Sequence, residues 1–368
     1  MPENHAMRRA ALADHLQQHG HDAALITRLV NVQYLTGLDS SNAAVLVRAD
    51  GSVVLATDGR YATAAAEAAP DVELLRARGV AAALLTQGDA GTRRKVALEA
   101  HDITLAGYEN LTAEIEKAGY RVETVHLGRV VEDIRAVKDE SEIDRLTQAC
   151  AISCRALEDL YEAGGLLGRT EQNIARDLEW RMFELGADGL AFETIVAAGP
   201  NSAIPHHSPG ARVVAAGDLL KIDFGATYRG YHADCTRTVV VGATPAEWQQ
   251  EIYELVAQAQ QRGTQALLAG ADCLSVDTAA REHIAAAGHG EAFSHGTGHG
   301  VGLEIHEAPT LGYSATGRLA DRMTATVEPG VYLPGRGGVR IEDTLVVRDS
   351  AQAEVLTPTT KSLQVIDA

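Results

Sequence analysis

Two stretches of this chain set carboxylates in the middle of apolar strands, and a chain that does so must give those charges a partner when it folds. In LLKIDFGATYRGYHADCTRTVVVG, residues 219–242, two β-rich runs flank Thr227-Tyr228-Arg229-Gly230, which predicts a hairpin. A turn symmetric about the Tyr228–Arg229 bond sets Asp223 opposite Asp234. In TATVEPGVYLPGRGGVRIEDTLVV, residues 324–347, a turn centred on Gly335 sets Glu328 opposite Glu342. Arg340 stands two residues before Glu342, on the same strand face. Directly opposed residues have Cβ atoms roughly 4.5–5.5 Å apart, where two carboxylates repel. Buried without a partner, such charges cost several kcal/mol. Something positive belongs between each pair.

Between the hairpins runs FSHGTGHGVGLEIHE, residues 293–307, which holds His295, His299 and His306 among glycines. Isolated histidines elsewhere, such as His15 and His101, read as structural. The cluster reads as a site, with glycines letting the backbone approach a ligand. A nucleotide-binding loop is excluded by context: no strand and opening helix bracket the glycines and no lysine follows in the required place. Four carboxylates and one imidazole form a hard to borderline ligand set suited to Mn²⁺, Zn²⁺, Co²⁺ or Fe²⁺, with no thiolate to select among them. They suffice for two ions about 3.5–4 Å apart, which predicts metal-assisted hydrolysis.

The rest of the chain bounds the setting. At 368 residues it has length for two domains, and 50 acidic against 32 basic residues give a formal charge of −18. That excess repels nucleic-acid phosphates and anionic lipid headgroups, so neither nucleic acid nor a membrane surface is an expected partner. Cys150, Cys154, Cys235 and Cys273 are too few for a secreted disulfide framework. No apolar run approaches the roughly 18 residues of a membrane span. A cytoplasmic location is expected.

A helix over 8–19, a strand at 23–27, a hairpin with strands Ala44–Val47 and Val53–Ala56, a helix at 61–69 and a strand near 72–75 open an alternating α/β unit. Asp139 to Glu142 is a polar helix-start signal, followed by Ile143, Leu146, Cys150, Leu157 and Leu160 at helical spacing. The boundary is expected near residue 130, giving domains 1–130 and 131–368. Within the second, GADGLAF (186–192) leading to Pro205-His206 is echoed by AGHGEAF (287–293) leading to His295, which leaves duplication and chance both open.

Together NSAIPHH, KIDFGA with its Asp eleven residues before that of ADCTRT, HGTGHGVGLEIHE, TVEPGVY and GGVRIEDT resemble the prolidase and aminopeptidase P branch of the pita-bread metallopeptidases. The likeness runs through residues 135–365, and residues 1–130 resemble the creatinase-type N-terminal domain more loosely. It implies an α/β (α+β) chain: a creatinase-like α/β domain followed by a pita-bread catalytic domain. It further implies that Asp223, Asp234, His299, Glu328 and Glu342 hold two divalent metals, Mn, Zn or Co, with Asp234 and Glu342 bridging. His206, His295 and His306 match the histidines around the scissile peptide, Arg340 matches the arginine beside the bridging glutamate, and His207 is set aside. The implied substrate is a di- or oligopeptide with proline on the carboxyl side of the cleaved bond, and the implied assembly is a homodimer. Glu328 would then shuttle the proton and His306 or His206 stabilise the oxyanion.

Three relatives of that fold compete. Methionine aminopeptidases space their last two glutamates much farther apart and lack the large N-terminal domain. Creatinase lacks the metal set. A pita-bread protein that only binds peptides would lack a ligand or a histidine. The choice between a dipeptidase and an aminopeptidase P stays open.

Overall fold

The structure, a computed structural model, describes residues 2–349 and 351–367. Its contacts divide the chain into two compact units, the first ending at Arg135 and the second beginning at Ala136, at the close of helix Val130–Ala136.

The first unit is a mixed sheet of six strands. Their order is Glu73–Arg76, Val53–Thr57, Ala43–Arg48, Ala23–Ile26, Arg94–Leu98 and Val122–His126. The hairpin read around Asp50-Gly51 is present, Ala44 pairing with Ala56 and Val47 with Val53. Gly51 takes a positive φ of 85° at its tip. Leu25, Leu46, Val54 and Val96 build one core under helix Leu105–Lys117, which contributes Leu111 and Ile115. Residues 31–36 lie in helix Leu29–Thr36, stopped by Gly37 at φ 79°.

The second unit carries two helix pairs, each followed by a sheet, the first antiparallel except for its edge strand Val365–Ile366, which runs parallel to its neighbour. Helix Glu140–Ala163 starts with a capping box in which Asp139 accepts from the Glu142 N–H and Glu142 from the Asp139 N–H. With Glu171–Glu184 it covers one face of the sheet ordered Val365–Ile366, Cys235–Val241, Leu219–Phe224, Ile195–Ala198. Strand Leu219–Phe224 is buried throughout, so its alternation sorts two interiors rather than inside from outside. Leu220, Ile222 and Phe224 join the core under those helices, whereas Leu219 joins the core of the second pair, Glu247–Ala266 and Cys273–Ala286. Asp223 therefore points away from the first core. The later sheet is ordered Glu307–Leu311, Gly298–Gly300, Thr324–Val327, Asp343–Val346, Glu354–Val355.

The two acid-bearing hairpins differ in how well their register was anticipated. The later one keeps the expected alignment on both sides of its break: Gly330 faces Arg340 and Val327 faces Asp343. Glu328 and Glu342 fall between these ladders, where the pairing passes from the large sheet to a two-stranded ribbon. The earlier hairpin corrects the expectation. Its tight turn is Arg229-Gly230, both at positive φ (50° and 82°), with Tyr228 facing Tyr231. The centre lies one residue later than a turn about Tyr228–Arg229, so Asp223 faces Thr236 and not Asp234.

Candidate metal and peptidase site

Each acidic side chain reaches one cleft from a different strand terminus. Asp223 comes from Leu219–Phe224, Asp234 from the residue before Cys235–Val241, Glu328 from the residue after Thr324–Val327, and Glu342 from the link between Gly337–Arg340 and Asp343–Val346. His299 sits in the three-residue strand Gly298–Gly300. All five line a cleft of about 240 Å³ together with Arg340, His206 and His306.

The glycines around His299 serve a different contact from the one the sequence suggested. A Cβ on Gly298 would lie 2.0 Å from the Thr326 carbonyl oxygen, and one on Gly300 would lie 2.1 Å from that of Ala308. Those glycines let neighbouring strands close on the short strand, which fixes His299 between them. Its backbone N–H donates to Thr326 Oγ1 at 3.2 Å, and its ring Nδ1–H donates to the Gly300 carbonyl at 3.1 Å. The Nε2 lone pair is thereby turned toward the acids, 3.5 Å from both Asp234 Oδ2 and Glu328 Oε1. Burial, with His306 beside it, lowers the His299 pKa to about 4, so the imidazole is neutral at ordinary pH.

The carboxylates are held in a way that leaves charge unmatched. Burial raises the pKa of Asp234, Glu342 and Glu328, and the other acids of the cluster raise them further. One guanidinium opposes them: Arg340, itself only 2 % exposed, donates through Nη2 to Asp223 Oδ2 and lies 3.9 Å from Glu328 Oε2. Thr236 donates to Glu342 Oε2 at 2.6 Å and accepts from Arg340 Nε at 3.0 Å. Asp223 Oδ1 is buried with no hydrogen-bond partner among the described residues. Donor atoms of Asp234, His299 and Glu342 all lie within 4.8 Å of one another. An unpartnered carboxylate oxygen, three buried acids with the partly buried Glu328 beside them, and an inward-facing imidazole nitrogen fit divalent cations. Asp343, next to Glu342, is the contrast. It is saturated by Arg237, Gln260, Thr357 and Lys361, and has no donor capacity left for an ion.

The histidines divide. His206 and His306 are exposed on the cleft wall, His306 edge-on to His299 with ring centroids 4.3 Å apart. His295 stands behind the wall: its Nδ1–H donates to Gly296 O at 2.8 Å and its Nε2 accepts from the Tyr332 hydroxyl at 2.8 Å. That hydroxyl accepts from Arg340 Nη1 at 2.9 Å. His207 is engaged as well, donating to the buried Glu171 at 2.8 Å. Thr236, Tyr332 and Glu171 were missed in the sequence. Only Thr236 had a local signal, as the residue two after Asp234 in a strand facing Asp223.

Residues 144–349 match metallopeptidase family M24, and residues 8–137 match the creatinase/prolidase N-terminal domain. The chain is 32% identical over 357 residues to an Xaa-Pro dipeptidase of Pyrococcus horikoshii, covering 96% of this chain and 97% of that protein. Among solved structures, an Xaa-Pro dipeptidase from Bacillus anthracis superposes with a TM-score of 0.91 at 34% identity, covering 99% of this chain and 100% of the other. An X-Pro aminopeptidase from Thermotoga maritima gives 0.87 at 34% identity, covering 97% and 99%.

Proposed function

The chain belongs to metallopeptidase family M24, and on that premise we propose that it hydrolyses the Xaa-Pro peptide bond, releasing the residue that precedes proline from dipeptides or short peptides. The observation that carries the reading is the cleft in which four carboxylates, one neutral histidine and Arg340 converge. An Xaa-Pro bond is a tertiary amide without an N–H, and its ring fixes φ, so a site for it relies on the carbonyl and the acyl-side residue instead of a backbone donor.

In this reading Asp223, Asp234, His299, Glu328 and Glu342 would hold two divalent cations, Mn, Zn or Co. Bound there, such ions supply Lewis-acid polarisation of the scissile carbonyl and a nucleophile at neutral pH. Glu328 takes the proton of the attacking water on a carboxylate oxygen and delivers it to the departing proline nitrogen. His206 and His306, exposed on the cleft wall, donate toward the carbonyl oxygen as it gains charge. Arg340 fixes Asp223 directly and Glu342 through Thr236, while His295 braces Tyr332 against Arg340. The catalytic domain is read as beginning near residue 131. The assembly is read as a homodimer and the location as cytoplasmic; the four buried free cysteines support a reducing compartment.

The test is hydrolysis of Xaa-Pro against Xaa-Pro-Yaa peptides by metal-depleted protein given Mn²⁺, Co²⁺ or Zn²⁺. Metal-dependent release of the first residue is the expected result, and the ratio of the two rates separates a dipeptidase from an aminopeptidase. Glu328→Gln is expected to lower kcat about 10²- to 10⁴-fold. Full activity in both Glu328→Gln and His299→Ala would sink the reading.

A further inference from the structure

We propose that Lys221 is a positioning residue for His206, acting through the carbonyls of the two residues that precede that histidine. The inference rests on the role given to His206 above.

Lys221 stands two residues before Asp223 in the buried strand, and alternation puts both on the same face. Its side chain is 0 % exposed. Burying a polar amino group is costly unless its protons find acceptors, and a leucine or methionine would fill the same space without that cost. The acceptors it finds are the carbonyl oxygens of Ile204, at 2.6 Å, and Pro205, at 3.2 Å. Its Nζ also lies 5.1 Å from the centroid of the Tyr332 ring.

His206 needs such support because its ring is exposed on the cleft wall and its placement follows from its backbone. That backbone is tied from two sides. From beneath, Arg340 Nη1 adds a second donor to the Pro205 carbonyl at 3.2 Å, so the residues that orient Asp223 and Tyr332 also grip the peptide entering His206. From the other side, buried Glu171 accepts from the N–H of Ala198 at 2.8 Å, Asn201 Nδ2 at 2.9 Å, the Gly210 N–H at 3.1 Å and His207 at 2.8 Å. Glu171 closes the ends of the segment, and Lys221 holds its middle. A loop otherwise free to shift is registered against the strand that carries Asp223.

The experiment is a double-mutant cycle on the full-length protein loaded with Mn²⁺, using Lys221→Met, His206→Ala and the combination, with steady-state kinetics on an Xaa-Pro dipeptide. Metal content and thermal midpoint are measured on each. Lys221→Met is expected to keep its metal and lose about 10- to 100-fold in kcat/KM, chiefly in kcat, because a group displaced by about an ångström loses that much rate. In the His206→Ala background the same substitution is expected to cost less than about two-fold, since residues acting through one another are non-additive. Lys221→Gln, which keeps an amide donor, is expected to recover part of the loss and carries the cycle if the Met variant does not fold. Equal losses in both backgrounds, full activity of Lys221→Met, or a loss explained by missing metal would each overturn the proposal. If His206→Ala is itself fully active, the role given to His206 falls and this inference with it; if it is impaired but additive with Lys221→Met, only the inference falls.

Discussion

Thr236 Oγ1 stands between Glu342 and Arg340, donating to Glu342 Oε2 at 2.6 Å and accepting from Arg340 Nε at 3.0 Å. The residue is fully buried, so neither partner can exchange this contact for water. One hydroxyl thus sets the carboxylate's rotation and couples it to the guanidinium that also holds Asp223. Thr236→Val keeps the shape and removes the hydroxyl. Metal affinity is expected to fall about 10- to 100-fold, the usual cost of losing a hydrogen bond that orients a ligand. Thr236→Ser should stay close to the parent. Equilibrium dialysis against Mn²⁺ measures it, and a Val variant with unchanged affinity would remove Thr236 from the account.

Gly298 offers a test of why the histidine-bearing segment is rich in glycine. If its glycine serves strand closure, Gly298→Ala must push the strand from Thr326, whose carbonyl oxygen would lie 2.0 Å from the new Cβ. Overpacking of this kind costs about 1–3 kcal/mol. The same shift breaks the His299 N–H contact to Thr326 and moves the ring. Both a lower unfolding midpoint and lower metal content are expected. A glycine kept only for ligand approach would give normal stability and impaired binding alone.

The contrast between the two hairpins shows how much of this site was legible in the chain. Gly335 sits at φ 76° within Pro-Gly-Arg-Gly-Gly, a turn whose composition marks its own centre, and the Glu328–Glu342 alignment followed. Around Arg229 the centre was ambiguous by one residue, because an arginine at φ 50° is not signalled by its side chain. Asp223 and Asp234 still meet in the cleft, brought together by tertiary packing rather than by direct pairing. Lys221 and Tyr332 were hidden for a related reason. A lysine in a strand reads as solvated, and nothing local reveals that its acceptors lie in a loop 16 and 17 residues earlier.

Chelation should separate the metal's contribution to stability from its contribution to rate. Ions that bind the folded chain and not the unfolded one stabilise it by about 2.7 kcal/mol at a free concentration 100 times Kd. Without them, Asp234, Glu328 and Glu342 crowd one another around a single guanidinium. Excess EDTA is expected to abolish hydrolysis and lower the unfolding midpoint, and added Mn²⁺ to raise the midpoint with concentration. Asp234→Asn should flatten that concentration dependence. A midpoint indifferent to both chelator and metal would contradict ion binding at this cluster.

His5 sets an acid limit on the first unit through a group far in sequence from the metal site. It is 8 % exposed, its Nδ1–H donates to the Tyr34 carbonyl at 2.9 Å, and Arg8 donates to the same oxygen at 3.0 Å. Burial lowers its pKa to about 4; the Tyr34 carbonyl works against that shift, and the Arg8 charge adds to it. The unfolded chain binds this proton near the ordinary value of 6.5. Between these two values the unfolded state holds more protons, so stability rises with pH across the window. The contribution of His5 is fully present above pH 6.5 and is lost as the pH falls toward 4. His5→Gln keeps an amide donor for Tyr34 and removes the titration. Urea unfolding at a series of pH values from neutral to about 4 should therefore show a shallower loss of stability in the variant than in the parent, the difference developing below the histidine's ordinary pKa. Parallel curves would mean that His5 titrates alike in both states.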